Sequence, residues 1–308
     1  MPNLIWKSRN KKTLNLVPTP FVSEEDFEKT VFNTKELLTD IFILKRQIRG
    51  GRKATIPDML GLDSDGNVCI IEMKNVTVDA DIIPQVLEYA IWAESNPDSV
   101  KNLWLEREDQ TDEIEIDWDN YTVRIIIIAP QIAQSTLNMI NRIRYDVDLI
   151  EITRWKEEHN EFLLVNNLKP AAEKRTKTTR GLGNYDQSFY ESKRNKQSVK
   201  HFLKFCEDTD KIVKKRKWPL EMKYNAIYCG WKLGFFNAFS IKWIGTKTFA
   251  FYIKMPKQSA ERIQPKNFKM DKYSERWGAA VYYVNPEKTR VNAFIPLFEK
   301  AYKELSGN

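Results

Sequence analysis

Apolar positions along the chain recur at two spacings, and the changeovers between them outline the elements. Phe27, Val31, Thr34 and Leu38 share one face at helical spacing. Before them stands Ser23-Glu24-Glu25-Asp26, a hydroxyl cap with acids in the first turn where the helix dipole favours them, so a helix is expected over about residues 24–38. Ile41–Ile48 alternates loosely and reads as a strand. Residues 56–74, IPDMLGLDSDGNVCIIEMK, hold two short apolar runs joined by turn residues, the pattern of a β-hairpin. A helix is expected from about Ile82 to Glu94, with Pro84 in its first turn where the missing N–H is harmless. Val123–Ala129 reads as a fully buried strand, followed by a helix around Ile132–Arg144 and a strand at Asp148–Thr153. This order of helices and strands predicts an α/β sheet with helices packed on it.

Residues 169–199 break the pattern: they are basic, polar and poor in aliphatic residues, which reads as a linker. A helix is then expected from a cap at Ser198 to about Lys215. The aromatic-rich segments FFNAFSIKWIG and TKTFAFYIKM follow, divided by a Gly245-Thr246-Lys247 turn, then GAAVYYV and a closing helix at about Asn292–Leu305. Residues 200–308 are expected to form a smaller second α/β domain with a meandering sheet.

Charge divides along the same lines. Residues 1–168 carry 19 Lys and Arg against 29 Asp and Glu, a balance of −10, whereas residues 169–200 and 201–308 stand at +6 and +11. A basic back half implies a polyanionic partner, the alternative being two domains that merely differ in surface charge. Cys69, Cys206 and Cys229 have no metal or disulfide spacing, which suits a reducing, cytoplasmic compartment. The first residues lack a signal-peptide apolar stretch, and the longest aliphatic run, Ile125–Ala129, is far too short to span a bilayer, so a soluble protein without a membrane partner is expected. With His159 and His201 as the only histidines, sites needing several imidazoles are not expected, and catalysis is expected to rest on carboxylates and lysines.

The hairpin holds such groups at one end. A loop of three residues, Ser64–Gly66, or of five, Asp63–Asn67, pairs positions whose numbers sum to 130, so Asp58 faces Glu72. Like charges directly opposite are destabilising, and a hard divalent cation between them is the simplest remedy. Lys74, two residues beyond Glu72, points to the same side. Two acids and an amine on one face suit phosphodiester hydrolysis: Asp58 and Glu72 would hold magnesium, with the Met73 carbonyl as a further ligand, and Lys74 would orient water and offset transition-state charge. The alternative is a solvent-exposed strand end. Lys214-Lys215-Arg216-Lys217 and the lysines among the later aromatics offer cations for phosphates, although most of those aromatics read as sheet core.

Ile56-Pro57-Asp58 followed by Glu72-Met73-Lys74 resembles the PD-(D/E)XK nuclease superfamily, and Gln85-Val-Leu-Glu-Tyr89 resembles the Q-x-x-x-Y motif of its RecB-like branch. The run from Pro57 to Lys74 is similar to NucS-type endonucleases. The resemblance covers about residues 20–155. It implies a restriction-endonuclease-like central mixed sheet flanked by helices, a catalytic domain at residues 1–168, and a magnesium-dependent DNA endonuclease in which manganese substitutes. It further implies Glu28 as an additional metal ligand, with Glu24, Glu25 and Glu36 competing for that role. Gln85 and Tyr89 would contact nucleic acid or brace the lysine, and Arg49, Arg52 and Lys53 would grip phosphate unless that loop is simply solvated. A homodimer would be the easy way to cut both strands. RNA or branched DNA as substrate, or a non-catalytic nucleic-acid-binding protein on the same fold, remain the alternatives.

Overall fold

The computed structural model describes residues 4–7, 13–38, 41–46, 57–63, 65–110, 114, 116–157, 160–168, 185–234, 236–263 and 269–307. The chain divides into two compact units, Met1–Leu182 and Gly183–Asn308.

The first unit contains β1 (Leu4–Lys7), β2 (Thr13–Pro18), α1 (Glu24–Asn33), β3 (Ile41–Arg46), β4 (Met59–Asp63), β5 (Val68–Met73) and β6 (Thr77–Val78). It continues with α2 (Ile82–Ser95), α3 (Pro97–Leu105), β7 (Val123–Ala129), β8 (Gln131–Ile132), α4 (Gln134–Ile140), β9 (Asp146–Glu157) and β10 (Asn160–Leu168). The main sheet has the order β1-β2-β9-β7-β5-β4-β3, with β10 also on β9. The β5–β7 and β7–β9 pairs are parallel and the rest antiparallel, so this is a mixed sheet.

The hairpin register is the expected one: Met59 pairs with Ile71 and Leu62 with Val68. Gly66 sits at φ 79°, a left-handed conformation that glycine adopts without a Cβ clash, and its N–H donates to Asp63 O at 3.1 Å. The Asp63 carboxylate fastens the turn by accepting from the backbone N–H groups of Asp65 and Asn67 at 2.9 and 3.0 Å. Every residue of β4 and β5 is buried. That burial is why both strands read as continuous apolar runs instead of alternating ones.

Helix α1 is shorter than its apolar spacing predicts. Ser23 caps it, accepting the Asp26 N–H at 3.1 Å, but it ends at Asn33 and a 3-10 turn, Lys35–Leu38, takes over. Thr34 causes the break: its hydroxyl and its N–H both return to Thr30 O, at 2.8 and 3.0 Å, and β-branching disfavours continuation. The helix expected over Ile132–Arg144 begins two residues later and ends at Ile140, because Gln131–Ile132 is used as a strand beside β6.

The second unit contains α5 (Gln187–Lys193), α6 (Lys196–Lys215), β11 (Glu221–Tyr224), β12 (Tyr228–Leu233), β13 (Phe236–Ile244) and β14 (Thr248–Lys254). It ends with α7 (Lys257–Arg262), β15 (Lys272–Ser274), β16 (Ala279–Tyr283), a 3-10 turn at Val291–Phe294 and α8 (Ile295–Ser306). Its six strands form a separate antiparallel sheet in the order β11-β12-β13-β14-β16-β15. Of the stretch expected as a linker, residues 185–199 are described. Helix α5 lies within it, and Tyr190 is fully buried in the second unit's core with its hydroxyl donating to Asn225 O at 2.5 Å. Asn195, not Ser198, caps α6, its side chain accepting from the N–H groups of Gln197 and Ser198, both at 3.1 Å. No described helix is long and apolar enough to cross a membrane.

Candidate active site

The site forms where β5 ends and α2 begins. Parallel pairing with β7 carries β5 to its end, and the Lys74 N–H donates to Ile128 O at 3.0 Å, so Lys74 is held as firmly as a strand residue. Glu72 and Lys74 share a face, and the Lys74 ammonium is in close contact with Glu72 Oε1. On the other arm Asp58, one residue before β4, turns its carboxylate inward to accept the Met73 N–H at 2.7 Å. Asp58 and Glu72 are 5% and 1% exposed, far below what unpaired surface acids show.

Helix α2 completes the cluster. Gln85 and Tyr89 stand one turn apart on one face. Gln85 Nε2 lies 2.9 Å from Glu72 Oε1 and 2.8 Å from the Tyr89 hydroxyl, so Tyr89, Gln85, Glu72 and Lys74 form one hydrogen-bonded chain. From α1, Glu24 Oε1 reaches to 3.8 Å from Lys74 Nζ.

The electrostatics follow from this crowding. Burial, with the neighbouring Asp58 charge, pushes the Glu72 carboxyl up to about 7 despite the opposing pull of Lys74. Burial by itself would lower the Lys74 pKa, but its hydrogen bond to Glu72 and the charges of Glu72, Asp58 and Glu24 prevail and raise it. Burial raises the Tyr89 phenol. Glu72 Oε2 is buried and accepts no hydrogen bond. A buried carboxylate oxygen left in this state, beside a second buried carboxylate, is a donor set that fits a hard cation. Among the described residues no group of three or more His, Cys, Asp or Glu gathers at a metal-holding separation. The set is therefore a pair of acids, which suffices for an ion that keeps most of its waters.

The structure thus brings together Asp58, Glu72, Lys74, Gln85 and Tyr89. Glu28 is buried on α1, 4% exposed, and of the α1 carboxylates it is Glu24 whose approach to Lys74 is seen. Arg49, Arg52 and Lys53 lie outside the described residues. Lys214–Lys217 stand at the end of α6 in the second unit: Lys214 pairs with Asp210 at 2.6 Å and Arg216 with Glu299 at 2.5 Å. Arg154 escapes sequence reasoning altogether. It is 4% exposed on β9 and donates to Pro20 O at 2.7 Å. Its guanidinium also pairs with Asp26 at 3.2 Å and lies 4.2 Å from the Phe21 ring, which fixes the start of α1 and with it Glu24.

No protein-family pattern matches the sequence, and no curated protein does. Solved structures similar to this chain include an EndoMS–dsDNA complex at 21% identity and TM-score 0.28, covering 42% of this chain and 44% of that one. A repair endonuclease from Pyrococcus abyssi matches at 23% identity and TM-score 0.27, covering 42% and 47%, and EndoMS in apo form at 16% and 0.27, covering 48% and 65%. The likeness is distant and partial, and this chain spans less than half the length of the first two.

Proposed function

We propose that this chain is a divalent-metal-dependent endonuclease that hydrolyses DNA phosphodiester bonds, with Asp58, Glu72 and Lys74 as its catalytic residues. The observation that carries the reading is Glu72 Oε2, buried and without a hydrogen bond beside Asp58 and Lys74. A structural carboxylate would be satisfied there, or replaced. Magnesium, or manganese in its place, would polarise the phosphate and lower the pKa of bound water. Asp58 and Glu72 are the residues to hold it. Lys74 orients the attacking water and offsets charge developing on the phosphate oxygens. Gln85 fixes the Glu72 carboxylate in rotation, and Tyr89 anchors Gln85.

The test incubates the protein with linear, single-stranded and branched DNA and with RNA, in magnesium, manganese or EDTA. Cleavage of DNA with either metal and none in EDTA is expected, with Glu72→Gln and Lys74→Ala each at least about a hundredfold slower. Cleavage that persists in EDTA, or that survives both substitutions, rules the mechanism out. Cleavage confined to RNA or to branched DNA replaces the substrate and keeps the chemistry.

A further inference from the structure

A sheet edge that is long, regular and poor in charge is a template for another strand, and proteins ordinarily blunt such edges with shortness, bulges or basic residues. The larger sheets of this chain follow that rule at most of their edges. Strands β11 and β15 have four and three residues and carry Lys223 and Lys272. Strand β1 has four residues. Strand β3 has six, but its register with β4 breaks between Ile43 and Lys45, and it closes on Lys45-Arg46.

Strand β10 has none of these devices. Its nine residues, NEFLLVNNL, pair with β9 in an unbroken register and include no Lys, Arg, Pro or Gly. That pairing uses one side of β10, while β7 and β2 take the other side of β9: Leu149 lies between Leu168 and Ile127, and Trp155 between Phe162 and Pro18. Among the described residues no strand pairs with the far side of β10. None of its nine residues is buried, and Leu164, at its middle, is 46% exposed. The single charged residue, Glu161, already meets Lys156 of β9 at 3.5 Å. An edge so poor in charge matches neither a polyanion nor a basic segment. It does match itself. Laid antiparallel on a second copy and centred on Leu164, β10 sets Leu163 opposite Val165 and Glu161 opposite Asn167, so the two Glu161 side chains stand ~20 Å apart. A parallel arrangement would instead set the acids face to face.

We propose that β10 is a dimerisation edge: two copies of this chain pair β10 with β10, antiparallel about a two-fold axis near Leu164, and join their mixed sheets into one. The pairing is isologous, so it uses up both edges and closes at two copies. Main-chain hydrogen bonds supply the attraction, and the exposed Leu164 side chains cover each other. The inference is independent of whether the chain cuts DNA.

The experiment is sedimentation of the full chain between about 1 and 200 μM, the range in which a small interface associates reversibly. The mass is expected to rise from 36.3 kDa toward twice that value. Leu164→Lys/Asn166→Lys, which sets like charges across the two-fold axis, is expected to weaken association at least about tenfold. Leu105→Lys, at a position 58% exposed on α3, is expected to stay within about twofold of wild type. Amide hydrogen exchange of the wild-type chain at both ends of the concentration range is the second measurement: the β10 amides are expected to exchange more slowly at the higher concentration. It needs no substitution, so it decides the matter if the lysines lower the melting temperature. A wild-type chain that stays monomeric at about 200 μM overturns the proposal, as does assembly beyond two copies. Dimers that persist in the folded double-lysine variant, or β10 amides that exchange alike at both concentrations, overturn it as well.

Discussion

Glu72 is a residue at which stability and function oppose each other. Its folded-state pKa is raised from 4.5 to about 7, so between those values the folded chain binds more protons than the unfolded one. The favourable contribution is complete below pH 4.5 and is lost as pH rises through about 7; above that, the buried charge destabilises the metal-free protein. Glu72→Gln mimics the protonated form and keeps an acceptor for Gln85 and Lys74. In EDTA it is expected to melt with wild type near pH 4.5 and to be the more stable by about 2–3 kcal/mol at pH 8. Thermal melts at both pH values check this, and a variant less stable than wild type at pH 8 would show that the Lys74 pair outweighs desolvation. Much of the cluster was legible, because the turn fixes which hairpin residues meet and a four-residue step fixes Gln85 over Tyr89. The hairpin could be counted across its turn; the reach of Glu24, on another element, could not. Arg154 was invisible for the same reason, its backbone acceptors Thr19 and Pro20 lying 135 and 134 positions away in sequence.

At the scale of elements, the first turn of α1 depends on what β9 holds. Arg154 ties the segment from Thr19 to Phe21 and the Asp26 carboxylate to the sheet. Arg154→Met keeps much of the side-chain volume and strands those acceptors; a loss of about 2–3 kcal/mol in urea unfolding is expected, with slower cleavage as Glu24 loses its position. Asp26→Asn should lose less, since Asp26 is about a third exposed. The end of α6 offers the opposite test. Lys217 adopts φ 55°, its N–H donating to Lys214 O at 3.1 Å while the Trp218 N–H donates to Val213 O at 3.2 Å, the double bond of a helix stop normally made by glycine. Lys217→Gly is therefore expected to raise stability by about 1 kcal/mol, read as a higher melting temperature, with DNA affinity within about twofold of wild type. Strands β4, β5 and β7 were legible because burial on both faces leaves uninterrupted apolar runs. The β1–β2 pair, β10 and the short edge strands β11 and β15 were not, since each is short or polar at many of its positions and is defined by the strand it pairs with.

Across the whole molecule, charge and core divide at the same place. Residues 1–182 carry 24 basic and 30 acidic residues, a balance of −6, and residues 183–308 carry 25 and 12, a balance of +13. The Asp58–Glu72–Lys74 cluster lies in the first unit and the lysine-bearing sheet in the second. Among the described residues, the aromatic core cluster of the second unit draws on residues from Tyr185 to Leu305. Produced separately, residues 183–308 are expected to melt in one cooperative transition. They should also bind duplex DNA in EDTA with the steep salt dependence of a polycation. Residues 1–182 should bind at least about tenfold more weakly, because an acidic body repels the polyanion except where magnesium or manganese is held between Asp58 and Glu72. Adding either metal should then strengthen binding by residues 1–182 and leave residues 183–308 unchanged. Equal affinities for the two pieces in EDTA would show that the charge division does not assign substrate binding to the second unit.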